Sequence, residues 1–225
     1  MKPVFFMICL FTLSVTQAVA MNVKSTEKCH CFKNRTYMPK NKFISDKYLL
    51  TTSFNSFVAV NFNLSKSQIV MMKMKGETGP DTLLIALYVS REEKVDIGTI
   101  LAVLENGGTW QQIIASGSAE RNKKTEDVFR VIASITGEYK EAVTAVTDEL
   151  LQEYFKMKQS EIEKLRQEGA SGRELVLVKT LAVYSKRKET AAAIMVMYRQ
   201  KKKSWSEIAN FLGFTPKETG KLLVN

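Results

Sequence analysis

Apolar residues recur at helical spacing along most of the chain. From Glu138 to Phe155, the residues Val143, Val146, Leu150 and Tyr154 fall on one stripe, and Thr125 to Ile135 carries a shorter one. The β-branched clusters at Val58 to Val60 and Leu175 to Val178 sit inside apolar stretches of helix length, so they do not signal strands. The pattern predicts an all-α, multi-helical fold.

Punctuation divides these stretches. A hydroxyl that accepts from a free backbone N–H, followed three residues later by a side chain that reaches back, marks a helix start. Thr78-Gly79-Pro80-Asp81, Thr109-Trp110-Gln111-Gln112, Ser171-Gly172-Arg173-Glu174 and Ser204-Trp205-Ser206-Glu207 all read this way. Pro80 suits a first turn, where its missing donor costs nothing. Gly76, Gly169 and the pair Gly107-Gly108 read as helix ends.

The same signals recur in order. A shift of 93 residues aligns Phe62, Ser67, Ile69, Gly76, Gly79 and Leu84 with Phe155, Ser160, Ile162, Gly169, Gly172 and Leu177, six identities in 23 positions. After a two-residue insertion, Ser90, Trp110 and Ile113 meet Ser185, Trp205 and Ile208, so the two tryptophans of the chain fall in register. A tandem duplication of a helical unit of roughly 75 residues is expected, with Gly76, Gly169, Trp110 and Trp205 as its anchors. Each copy reads as a long helix, a second after Leu64 or Met157, a Gly-x-x-Gly turn, two more helices and a short tryptophan-bearing one. The tryptophans are expected to pin those short helices to the core.

The beginning of the chain carries a different pattern. Lys2 precedes an uncharged apolar run from Val4 to Val15 and then Ala18-Val19-Ala20, the form of a cleaved secretory signal. The run is too short for a bilayer core, which needs about 20 helical residues. The expected organisation is a signal peptide over 1–20, a Cys-His-Cys segment over 21–44, a first helical repeat over 45–118, a connecting helix over 119–137 and a second repeat over 138–225. A soluble periplasmic or secreted protein follows. Cys9 leaves with the signal, and Cys29 and Cys31 remain.

Charge adds a direction without a target. The formal charge of +10 becomes +9 over 205 residues once Lys2 is lost with the signal. Lys186-Arg187-Lys188 and Arg199 to Lys203 are the densest basic stretches. Such charge favours an anionic or protein partner, whether nucleic acid, lipid head groups or an acidic protein, or simply a solvated surface.

His30 is the one histidine of the chain, which leaves histidine-based catalysis a single residue beside two cysteines. No catalytic residue is assigned, and a non-enzymatic binding or scaffolding module is expected. Cys29-His30-Cys31 is the one local chemical cluster. In an oxidising compartment Cys29 and Cys31 can bond to each other, bond another chain, exchange disulfides, or join His30 in holding copper or zinc with a further ligand such as Glu27 or Asp46. The run Met71, Met72 and Met74 could hold copper(I), although core filling is its expected role.

Two resemblances bear on function. Ser204 to Glu218, with Ile208-Ala209, Gly213 and a capped second helix, resembles the helix-turn-helix of bacterial transcription regulators. That resemblance implies nucleic-acid binding for a chain that stays in the cytoplasm. Its second helix would offer Lys217 and Lys221 but no arginine or asparagine to base edges, and nucleic acid is not the expected partner. Cys29 to Phe32, followed by Asp46, Tyr48 and Asn55, resembles exported bacterial proteins of unknown function, which implies an extracytoplasmic location.

Overall fold

The computed structural model describes residues 34–75, 78–117 and 120–224. A 3₁₀ turn at Pro39–Asn41 leads into α1 (Asp46–Asn61), α2 (Lys66–Lys75), α3 (Pro80–Glu93), α4 (Ile97–Glu105), α5 (Trp110–Ser116) and α6 (Lys123–Ala133). The chain continues through α7 (Lys140–Phe155), α8 (Gln159–Gln167), α9 (Gly172–Tyr184), α10 (Ala191–Arg199), α11 (Trp205–Phe211) and the single turn α12 (Pro216–Thr219). Among the described residues there is no strand, and the fold is all-α as the apolar spacing predicts. On α7, Val146 and Leu150 are fully buried, and Val143 and Tyr154 pack against the same core. No helix of the described residues is long and apolar enough to cross a membrane.

The helix starts follow the cap chemistry closely. Thr109 with Gln112, Ser171 with Glu174 and Ser204 with Glu207 each form a reciprocal capping box. Thr78 does not. The N-cap of α3 is Gly79, with Pro80 at its first turn, so the helix starts one residue later than a Thr78 cap requires. Asp96 and Thr190 cap α4 and α10, and Thr215 with Glu218 closes a box on α12. Gly107, Gly169 and Gly213 end their helices at φ of +80°, +86° and +92°, a conformation that an L side chain resists.

Two runs of five helices match in order. α1 to α5 have 16, 10, 14, 9 and 7 residues, and α7 to α11 have 16, 9, 13, 9 and 7. The left-handed residues match too. Asn63 and Lys156 follow the first helix of each run, Lys94 and Lys188 the third, and Gly107 and Lys202 the fourth.

Packing crosses between the runs. α1 lies along α9, and α3 lies along α7, so each long first helix meets the third helix of the other run. α6 closes over α5 and α7, and α12 closes over α11 and α1. The C-terminal ends of α1 and α7 meet in an aromatic cluster. There Phe57 stacks on Phe155 at 5.8 Å and meets Tyr154 edge-on at 6.0 Å. Thr52 through Ala59 are buried without interruption, as are Leu83 through Val89, so α1 and α3 are enclosed on every side over two turns.

Buried polar groups fix how these helices dock. At the start of α1, Asp46 accepts from the backbone N–H of Trp205 and Ser206, both at 3.0 Å, and from the Ser206 hydroxyl at 2.7 Å. Ser204 accepts from Glu207, so the first three donors of α11 are satisfied. Burial nevertheless holds the Asp46 carboxyl above its ordinary range, outweighing the bonds from Ser206 and Trp205 that lower it. Between α3 and α7, the Tyr88 hydroxyl donates to the buried Glu149 carboxylate, with Lys124 3.9 Å from its other oxygen. Burial raises the Glu149 carboxyl as well.

On α2, the Lys66 ammonium donates to the Thr52 hydroxyl and, at 2.8 Å, to the Gly220 carbonyl that ends α12. Any side chain at Gly220 would meet Thr52 at 2.5 Å, which requires glycine at this crossing. Lys73 donates to Asn55 Oδ1 at 2.6 Å. Burial lowers both amines to about 8, helped by Lys221 at the first and Arg173 at the second.

Two stability measurements follow. Asp46→Ala strands the buried donors of α11 and should cost about 2–3 kcal/mol in urea unfolding, while Asp46→Asn, which keeps an acceptor, should cost clearly less. For Lys66, the folded amine releases its proton near pH 8, whereas the unfolded one holds it to the ordinary lysine value near 10.5. Across that window the unfolded chain binds more protons, so stability rises with pH, and the ammonium penalty is fully present below the window. Lys66→Met should flatten that rise; an undiminished rise in the variant would assign it to other groups.

Candidate anion-binding face

The two densest basic stretches of the sequence form the loops at the two ends of α10, and the fold brings both to one aromatic ring. The Arg187 guanidinium lies 4.3 Å from the centroid of Phe211, and Lys203 Nζ lies 5.1 Å from it. The first loop is pinned by Ser185. Its hydroxyl accepts from Arg187 N–H at 3.1 Å and donates to the Leu212 carbonyl at the end of α11 at 3.4 Å. The second loop is folded back by Lys201 and Lys203, whose N–H groups donate to Val196 and Met197 at 3.2 Å. Lys188 and Lys202 take the left-handed conformation that turns each loop.

A third strand of chain completes the face. Lys42, just after the 3₁₀ turn, donates to the Lys202 carbonyl at 3.1 Å and stands 3.8 Å from Glu207. Its ammonium also lies 5.2 Å from the ring of Phe43. The face therefore runs along α11, from Phe43 and Lys202 to Phe211 and Arg187.

Its charges are mostly uncompensated. Lys186, Arg187, Lys188, Lys201 and Lys202 are exposed and Lys203 is half-buried. Among the described residues, no carboxylate lies within 4.0 Å of any of these six cations. Arg199 differs: it donates to the Gly169 carbonyl at 2.8 Å and to Glu174 at 3.4 Å, tying α10 to the α8–α9 turn. Six like charges held on two short loops repel one another and gain from an anion more than dispersed charges would.

Other residues singled out in the sequence have different places. Trp110 and Trp205 are buried at 3% and 1% exposure, and Trp205 stacks on Tyr198 at 4.0 Å. Both pin their short helices to the core and present no open ring. Gly169 ends α8, with Arg199 beside it. Cys29, His30, Cys31 and Gly76 lie outside the described residues. The Asp46 carboxylate, a candidate fourth ligand for Cys29-His30-Cys31, is engaged by α11. Among the described residues no group of three His, Cys, Asp or Glu side chains could hold a metal ion.

The helix-turn-helix-like segment forms α11, a turn at Gly213 and α12. The second helix has only four residues, with Pro216 and Thr219 buried toward α1. That single turn spans about 6 Å. Lys217 and Lys221 remain exposed.

Phe211 and Lys42 were not legible as site residues. Their roles depend on where two loops and the N-terminal segment meet, which no local spacing encodes. No family model matches the chain, and neither a curated protein nor a solved structure matches it.

Proposed function

We propose that the chain is an exported, non-enzymatic binding module that engages an anionic partner through the face around α10 and α11. The single observation that carries this reading is the set of six cations without a described carboxylate partner, held on two loops that meet at Phe211 through Arg187 and Lys203. The leader expected over residues 1–20 sets the encounter outside the cytoplasm. The two runs of five helices fit a duplicated unit, supported by their helix lengths and matched left-handed turns. Within that frame, the basic loops distinguish the second run: where Lys186-Arg187-Lys188 precede α10 and Lys201 to Lys203 follow it, Lys94-Val95-Asp96 precede α4 and Asn106-Gly107-Gly108 follow it.

Charge reversal tests this. Lys186→Glu, Lys201→Glu and Lys202→Glu together should weaken binding to an inorganic polyphosphate oligomer by about tenfold or more, with a shallower salt dependence. The same net change placed on the exposed Lys94, Lys123 and Lys158 should weaken it far less. Equal losses from the two triple variants would contradict a localised site.

A further inference from the structure

Resting on that reading, we infer that the anionic partner is a lipid bilayer surface, met by the exposed apolar side chains that border the cations of this face. Nine large hydrophobic side chains stand out as exposed among the described residues. Two of them, Phe43 at 53% and Phe211 at 37%, lie beside its cations, and Met38 at 49%, Val183 at 54% and Tyr184 at 40% lie within four residues of Lys42 or Lys186 along the chain. Phe43 adjoins Lys42, which holds the α10–α11 loop, and Phe211 lies under Arg187 and Lys203. Val183 and Tyr184 end α9 immediately before Ser185 to Lys188. Apolar groups kept in water beside lysines have a use at the headgroup boundary, where rings and aliphatic chains enter while ammonium groups remain among phosphates.

The composition separates a bilayer from a soluble polyanion. A phosphate polymer is satisfied chiefly by the cations, whereas a bilayer also takes up exposed apolar side chains such as Phe43. Single-stranded nucleic acid would stack bases on open aromatic faces. Here cations already stand over the rings of both Phe43 and Phe211. Because no described helix can span the membrane, the contact is interfacial, and it depends on anionic headgroups as well as on apolar insertion.

The test uses the full chain, vesicles of phosphatidylcholine with or without phosphatidylglycerol, an inorganic polyphosphate oligomer and a single-stranded DNA oligomer. The wild type should co-sediment with the anionic vesicles and not with the neutral ones. Phe43→Ser with Phe211→Ser should lower vesicle affinity by about tenfold and polyphosphate affinity by clearly less, since all six loop cations remain. Phe43→Ser alone, in the segment preceding the helical core, guards against misfolding of the double variant and should give part of the loss. Vesicle binding undiminished in both variants overturns the bilayer inference. So does polyphosphate binding without vesicle binding, which leaves the anion-binding face standing. A loss confined to DNA in the variants would assign the rings to bases and overturn it also. Binding to none of the anions would defeat both readings.

Discussion

The crossing of α1 with α9 and of α3 with α7 governs the rest of the molecule. α1 and α3 are enclosed over two turns, and neither run of five helices encloses its own first helix alone. A long apolar helix left half-covered would expose surface costing about 25 cal/mol for each Å² kept in water. Exchange of first helices between the runs covers both at once. It also explains α6 and α12, which close over α7 and α1, the two helices that have crossed over.

Enclosure on that scale brings polar groups inside, and three of the buried charged ones are met by other segments of the chain. Asp46 reaches the start of α11, Glu149 takes the Tyr88 hydroxyl, and Lys66 reaches the end of α12. Each bond is directional and joins segments far apart in sequence. Apolar packing tolerates sliding of one helix on another; a carboxylate facing two backbone donors does not. Burial shifts these groups toward their neutral forms, which couples the crossing to pH.

Much of the secondary structure was legible because caps are local chemistry. Three of four expected hydroxyl caps form their boxes, and the failure at Thr78 traces to Pro80 fixing the start of α3. The crossing was not legible. Thr52 to Ala59 is buried all round, so its sequence has no stripe to indicate which neighbour it faces. The face was half legible: its basic stretches stand out in the sequence, but their meeting at Phe211, and the approach of Lys42 and Phe43, are set by loop paths. Trp110 and Trp205 are buried at the starts of α5 and α11, where a capping hydroxyl before each and an isoleucine after it mark a short helix in the sequence.

Native-state hydrogen exchange in mild denaturant tests the crossing most directly, because it reports which helices open together. With the first helices exchanged, amides of α1 should share one opening free energy with α9, and those of α3 with α7. Opening of α1 together with α3 to α5, separately from α7 together with α9 to α11, would show instead that the two runs are independent units and would contradict the crossing.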